Sequence, residues 1–175
     1  MKILNFGWIL ALLIGVAMAQ EPPDISLPKL ELRISDLINS ERRTNGLDAL
    51  RSDAALSAIA RAHSDEMARV GYFDHTNPEG RDARERLSAA GYSCAKGVAE
   101  NIFRTNLYSK VTVSGNRKSY EWIPAEEIAT MTVKELMNSR DQRRNILDKK
   151  YQRAGVGLAI SNDAKLYVTQ MFCSP

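Results

Sequence analysis

The chain has 175 residues, with 24 Lys and Arg against 21 Asp and Glu, a formal charge of +3 at pH 7 and 44% hydrophobic residues. That length suits a single domain able to bury a core without extra staples. The charge is too mild to suggest nucleic acid as the partner, since nucleic-acid binders carry a strong basic footprint.

The chain opens with Lys2, an apolar run from Gly7 to Ala17 and the small-x-small sequence Ala17-Met18-Ala19. This is the pattern of a cleavable signal peptide, residues 1–19, with cleavage before Gln20 and export to the periplasm or medium. The run is shorter than the roughly 20 residues of a membrane-spanning helix. No cysteine follows the cut to carry a lipid anchor. Residues 20–28 read as a linker and 29–175 as the domain. Cys94 and Cys173, the only cysteines, are expected to form a disulfide, as an even pair in an exported chain most simply does. Closing most of the domain in this way removes roughly 4 kcal/mol of unfolded-state entropy.

Leu30, Ile34, Leu37 and Ile38 recur at helical spacing after Pro28, and Asn45-Gly46 ends this first helix. A second helix is expected after Ser52, taken as its N-cap, and runs to Gly71 with Leu56, Ile59, Ala60, Met67 and Val70 on one stripe. His63 falls on that stripe, which suits a half-buried histidine tied to a backbone group, whereas Asp65 and Glu66 are expected to face water. The stretch Phe73-Asp74-His75-Thr76-Asn77-Pro78-Glu79-Gly80 breaks the periodicity, so His75 lies in a loop, where functional residues concentrate. A short third helix covers about Asp82 to Ala90 and stops at Gly91.

Two β-prone runs around Ser114-Gly115-Asn116 predict a hairpin, inserted at about residues 107–123, in which Tyr120 and Trp122 share one face. These two rings offer an aromatic wall for a sugar or lipid, or Trp122 belongs to the core. Pro124 with Glu126 and Glu127 opens a fourth helix carrying Ile128, Met131 and Leu136 inward. Arg140, Arg143, Arg144, Lys149, Lys150 and Arg153 follow as a basic cluster, read as a solvated face paired locally to Asp141 and Asp148, or as an attractor of anionic groups. Ala154–Ile160 and Leu166–Phe172 predict an antiparallel hairpin, in which Gly155 and Gly157 let another backbone approach closely.

The order of Phe73-Asp74-His75 with Pro78-Glu79-Gly80, Ala99-Glu100-Asn101-Ile102, Met137-Asn138-Ser139 leading to Arg144-Asn145-Ile146-Leu147, Gly155-Val156-Gly157 and Val168-Thr169-Gln170 resembles the CAP superfamily (cysteine-rich secretory, antigen 5 and pathogenesis-related proteins), and within it the compact bacterial branch. The resemblance covers roughly residues 33 to 173. It implies an α+β fold, a three-layer α-β-α sandwich with a central antiparallel sheet. It also implies a cleft whose floor holds two histidines and two acids. His75 matches the first histidine and Glu100 the acid of the Gly-Glu-Asn motif, whose glycine is here Ala99. Gln142 occupies the place of the second histidine, Leu136 that of a tryptophan, and Ser139 stands where animal members place the second acid.

The candidate binding residues are therefore His75, Glu100, Asn101, Ser139 and Gln142, with His75 and Glu100 as the candidate catalytic pair. No metal or cofactor is expected. Zinc is disfavoured because it takes three or four protein ligands and Gln142 cannot replace an imidazole. Three functions follow as expectations: a monomeric exported binding module for an envelope lipid, peptide or glycan; a hydrolase with His75 as general base oriented by Glu100; or a structural or adhesive domain. The hydrolase lacks a Gly-x-Ser-x-Gly nucleophile motif.

Overall fold

The computed structural model describes residues 24–174; the expected signal peptide and most of the expected linker lie outside them. Helix α1 (Leu27–Thr44) starts two residues inside that linker, with Pro28 in its first turn where no backbone donor is missed. A two-residue strand β1 (Arg51–Ser52) leads into α2 (Ala54–Val70). The cap of α2 is Asp53 rather than Ser52: its Oδ1 accepts from the amides of Ala55 and Leu56 at 3.0 and 3.1 Å. Ser52 is instead held in the sheet, paired with Ala154. Helix α3 (Ala83–Ala89) begins from a reciprocal capping box between Asp82 and Glu85. Then come β2 (Gly97–Asn106), the hairpin strands β3 (Tyr108–Ser114) and β4 (Arg117–Trp122), helices α4 (Ala125–Asn138) and α5 (Arg140–Ile146), and strands β5 (Arg153–Ile160) and β6 (Lys165–Ser174).

The central sheet runs β1-β5-β6-β2 and is antiparallel except for β1, which pairs parallel to β5. Because side chains alternate along a strand, β6 serves two cores. Leu166, Val168 and Phe172 pack with Leu30, Ile34 and Ile38 of α1 and Ile128, Val133 and Leu136 of α4. Met171 and Cys173, pointing the other way, meet Leu56 and Ala60 of α2 and Leu87 of α3. Helices thus cover both faces, which is the expected three-layer sandwich.

The two glycines of β5 set the spacing of one interface. An ideal Cβ on Gly155 would lie 2.2 Å from the amide nitrogen of Ser57, and one on Gly157 2.0 Å from that of Arg61, so the backbone of α2 rests directly on the strand. The buried Glu31 of α1 closes the outer side of β5, accepting from the Leu158 amide at 3.0 Å and from the Arg61 guanidinium at 2.9 and 2.6 Å. Cys94 and Cys173 are joined in a disulfide between chain positions 79 apart.

Candidate functional site

The site begins with the loop between α2 and α3. Gly71 ends α2 at φ +86°, a conformation that suits glycine. The chain then turns through Asp74, whose carboxylate accepts from the Thr76 amide at 2.8 Å, and Asn77, whose side-chain oxygen accepts from the Arg81 amide at 2.8 Å. His63, 1% exposed on α2, fastens this loop from below by donating from Nε2 to the Asp74 carbonyl at 3.0 Å. Burial lowers its pKa, and its other ring nitrogen, Nδ1, is turned toward Tyr72. That nitrogen lies 3.3 Å from the Tyr72 hydroxyl, whose proton goes to Glu66 at 2.9 Å. Glu66 also accepts from Asn77 at 3.2 Å. The sequence reading of Glu66 as water-facing is thus corrected, because the loop folds back over it, whereas Asp65 is exposed.

One residue after that anchor, His75 places Nδ1 2.8 Å from Oε1 of Glu100, with the His75 side chain 56% exposed and that of Glu100 only 3%. The second oxygen of Glu100 pairs with the buried Arg86 of α3. Arg86 also donates to the carbonyls of His75 and Arg81 at 2.8 and 2.9 Å. One guanidinium therefore holds both the loop backbone and the carboxylate that orients the imidazole. The hydrogen bond to Glu100, acting against partial burial, raises the pKa of His75. The chain's two histidines are thus biased in opposite directions by environments only a loop apart.

Asn101 follows Glu100 on β2 and so projects to the opposite face. There its amide donates to the Gln142 carbonyl at 3.1 Å and to the Gln170 side chain at 3.3 Å, and its oxygen accepts from Asn145 at 2.9 Å. Because β2 is the last strand of its sheet, its outer carbonyls need partners. Helix α5 supplies two: Gln142 Nε2 donates to the Ile102 carbonyl at 3.2 Å and Asn145 Nδ2 to that of Glu100 at 3.3 Å. Ser139 sits at the junction of α4 and α5 and makes no side-chain cap to either.

An open cleft of about 430 Å³ runs along this edge, lined by His75, Asp82, Ala83, Arg84, Val98, Ala99, Glu100 and Asn145. The structure brings His75 and Glu100 together on its wall; of the other expected binding residues, Asn101 and Gln142 are engaged between β2 and α5, and neither they nor Ser139 is among the lining residues. Sequence reasoning missed Arg86, Arg84 and Asn145. Arg86 carried a signal: the capping box fixes the phase of α3, and Arg86 then falls beside Leu87 on the inward face, where a guanidinium needs an acid.

Zinc does not fit these residues. Nδ1 of His75 and both oxygens of Glu100 are already engaged, the Gln142 amide is bound to backbone, and among the described residues no group of three His, Cys, Asp or Glu converges. In the basic cluster, Arg144 pairs with Asp141 at 3.0 Å and Lys150 with Asp148 at 3.1 Å, while Arg153 faces Asp53 at 3.6 Å.

The model of the cysteine-rich secretory protein (CAP) family matches residues 35–172. Among curated proteins, the uncharacterized protein YkwD of Bacillus subtilis is 32% identical over 132 residues, covering 75% of this chain and 43% of YkwD, so the chain spans under half of that relative's length. Among solved structures, an extracellular SCP-domain protein of Bacillus anthracis matches with a TM-score of 0.64 at 23% identity, over 85% of this chain and 41% of that one. An outer surface protein of Borrelia burgdorferi matches with a TM-score of 0.66 at 13% identity, over 88% of this chain and 98% of that one. At these identities the two structures speak for the fold alone.

Proposed function

Because the chain belongs to the cysteine-rich secretory protein (CAP) family, we propose that it is an exported binding module whose cleft takes an extended peptide of the cell envelope, with a carboxylate of that peptide against His75. The observation that carries this reading is the half-exposed imidazole on the cleft wall, pinned through Nδ1 by a buried carboxylate. A raised pKa keeps that ring cationic to higher pH than a free histidine, which favours it as a donor to anions. Arg84 adds a second positive group to the same wall.

One feature favours a peptide over a lipid: five of the eight lining residues are polar or charged, whereas a lipid tail asks for an apolar slot. The same pair of residues supports hydrolysis less well, because the cleft lining sets no Ser, Thr or Cys nucleophile beside it.

Titration of envelope-derived peptides into the protein by calorimetry tests the reading. Saturable binding is expected, with His75→Ala weakening it at least about ten-fold, as the loss of a charged hydrogen bond implies. Turnover of the peptide abolished by His75→Ala would move the assignment to a hydrolase. Equal affinity of wild type and His75→Ala for every peptide would reject the cleft as the site and leave the pair as a brace.

A further inference from the structure

The β3–β4 hairpin does not join the central sheet, and an isolated two-stranded hairpin is marginal in water. Its root is well held: the Ile123 amide donates to the Leu107 carbonyl and the Leu107 amide to that of Ala164, both at 2.9 Å, while Trp122 and Ile123 pack on the main core. Beyond the root the pairing is Tyr108 with Trp122, Lys110 with Glu121, Val111 with Tyr120, Val113 with Lys118 and Ser114 with Arg117. A register shift at Ser109 turns Tyr108 onto the same face as Val111. One face thus carries Tyr108, Trp122, Tyr120, Val111, Lys118 and Val113 in order from root to tip.

The two ends of this face differ. At the root the three rings pack on one another, Tyr120 stacked on Trp122 at 4.9 Å and Tyr108 edge-on to Tyr120 at 5.1 Å. They stiffen the stem and do not present the open, coplanar platform a sugar ring needs. At the tip Val111 and Val113 are 41% and 62% exposed, with Lys118 opposite Val113 and Arg117 next along the strand, on the other face opposite Ser114. Lys110 is the one hairpin cation opposite an acid, Glu121, at 3.4 Å. Three cations against one acid leave the hairpin positive, with bare aliphatic side chains at its far end.

We propose that the hairpin tip docks on an anionic membrane surface. Val111 and Val113 enter the interface, Lys118 and Arg117 meet lipid phosphates, and the ring stack holds the stem rigid. The complementarity of basic residues to an anionic leaflet is what selects this partner. The surface lies on an inserted element apart from the cleft and does not depend on what the cleft binds.

The test is vesicle flotation of the protein recovered after export, its N-terminus read by mass spectrometry. Phosphatidylglycerol-containing vesicles are expected to retain it, increasingly weakly as salt rises, and pure phosphatidylcholine vesicles to retain far less. Each basic residue near such a surface contributes roughly a five-fold factor, so Arg117→Gln with Lys118→Gln should lower partitioning about 25-fold. Val113→Asp should also release the protein, and circular dichroism checks that both variants fold. His75→Ala should bind vesicles as wild type does. Three results overturn the proposal: no retention on anionic vesicles, retention unchanged by the hairpin variants, or retention abolished by Arg140→Gln with Arg143→Gln instead, which would locate the contact on α5.

Discussion

Glu100→Gln separates the roles of the His75, Glu100 and Arg86 cluster. The amide has the shape of the acid but only one acceptor oxygen, whereas the carboxylate uses both, one for His75 and one for Arg86. The amide can keep the ring contact only by donating to a neutral Nδ1, so the charge-assisted pairing with His75 is lost and Arg86 faces a neutral oxygen. With Glu100 3% and Arg86 8% exposed, water makes up for this poorly. Breaking a buried pair outright costs about 3–5 kcal/mol; retaining the shape and one bond should bring this to about 2–3 kcal/mol. For a domain of this size that is a fall in Tm of roughly 4–12 °C. The same change removes the cause of the raised His75 pKa. A raised folded-state pKa gives stability that is complete below the unfolded value near 6.5 and is lost as pH rises through the folded value. Wild type should therefore lose this contribution as pH rises from about 6.5 through the folded value, and the variant should lack it throughout. Because the chain has only two histidines, NMR titration of their ring protons resolves each one. An unchanged His75 midpoint with a Tm within about 2 °C of wild type would refute the account.

Gly157→Ala should cost about 3 kcal/mol or more in urea unfolding, because its new methyl would meet backbone of α2, which cannot rotate aside as a side chain would. Replacing both cysteines by alanine should lower stability by about 4 kcal/mol, the loop-closure value for residues 79 apart, seen as a lower urea midpoint. His63→Gln should act in the opposite pH direction from the His75 pair. Burial lowers the His63 pKa, so its stability contribution is complete above about 6.5 and is lost as pH falls through the folded value. Glutamine keeps a donor for the Asp74 carbonyl but does not titrate, so the drop in Tm from pH 7.5 to pH 5 should shrink in the variant; an identical drop would show that His63 is not its source.

The sequence announced α1, α2 and α4 through a long apolar stripe and the short α3 through the breakers around it, and the strands it announced, β5 and β6, are bounded by turn residues and rich in β-branched and aromatic side chains. The inserted hairpin was legible for the same reason. Strand β2 and helix α5 were not. In β2 the consecutive Glu100 and Asn101 are both buried, which spoils alternation: polar residues occupy both faces because each face holds a different polar network. Helix α5 reads Arg-Asp-Gln-Arg-Arg-Asn-Ile, with a single apolar anchor, so no periodicity marks it. It is held by its amides to a strand edge, a long-range contact that no local pattern contains. For the same reason Asp53 displaced Ser52 as the cap of α2, since only the pairing of β1 with β5 says which residue is left over to cap.

These two unread elements explain the departure at position 142. A strand edge with buried carbonyls needs donors, and a glutamine reaching the Ile102 carbonyl meets that need with a neutral amide that does not titrate. An imidazole there would bring a second imidazole close to β2, where Arg86 and His75 already share the buried carboxylate of Glu100. The two sides of the cleft edge thus differ: toward α3 an imidazole held by Glu100 sits on the cleft wall, while the side toward α5 is given over to holding the strand. Under the proposed function, recognition rests on the first wall, and the variants that separate binding from folding are those of His75 and Arg84 rather than those of Asn101, Gln142 or Asn145.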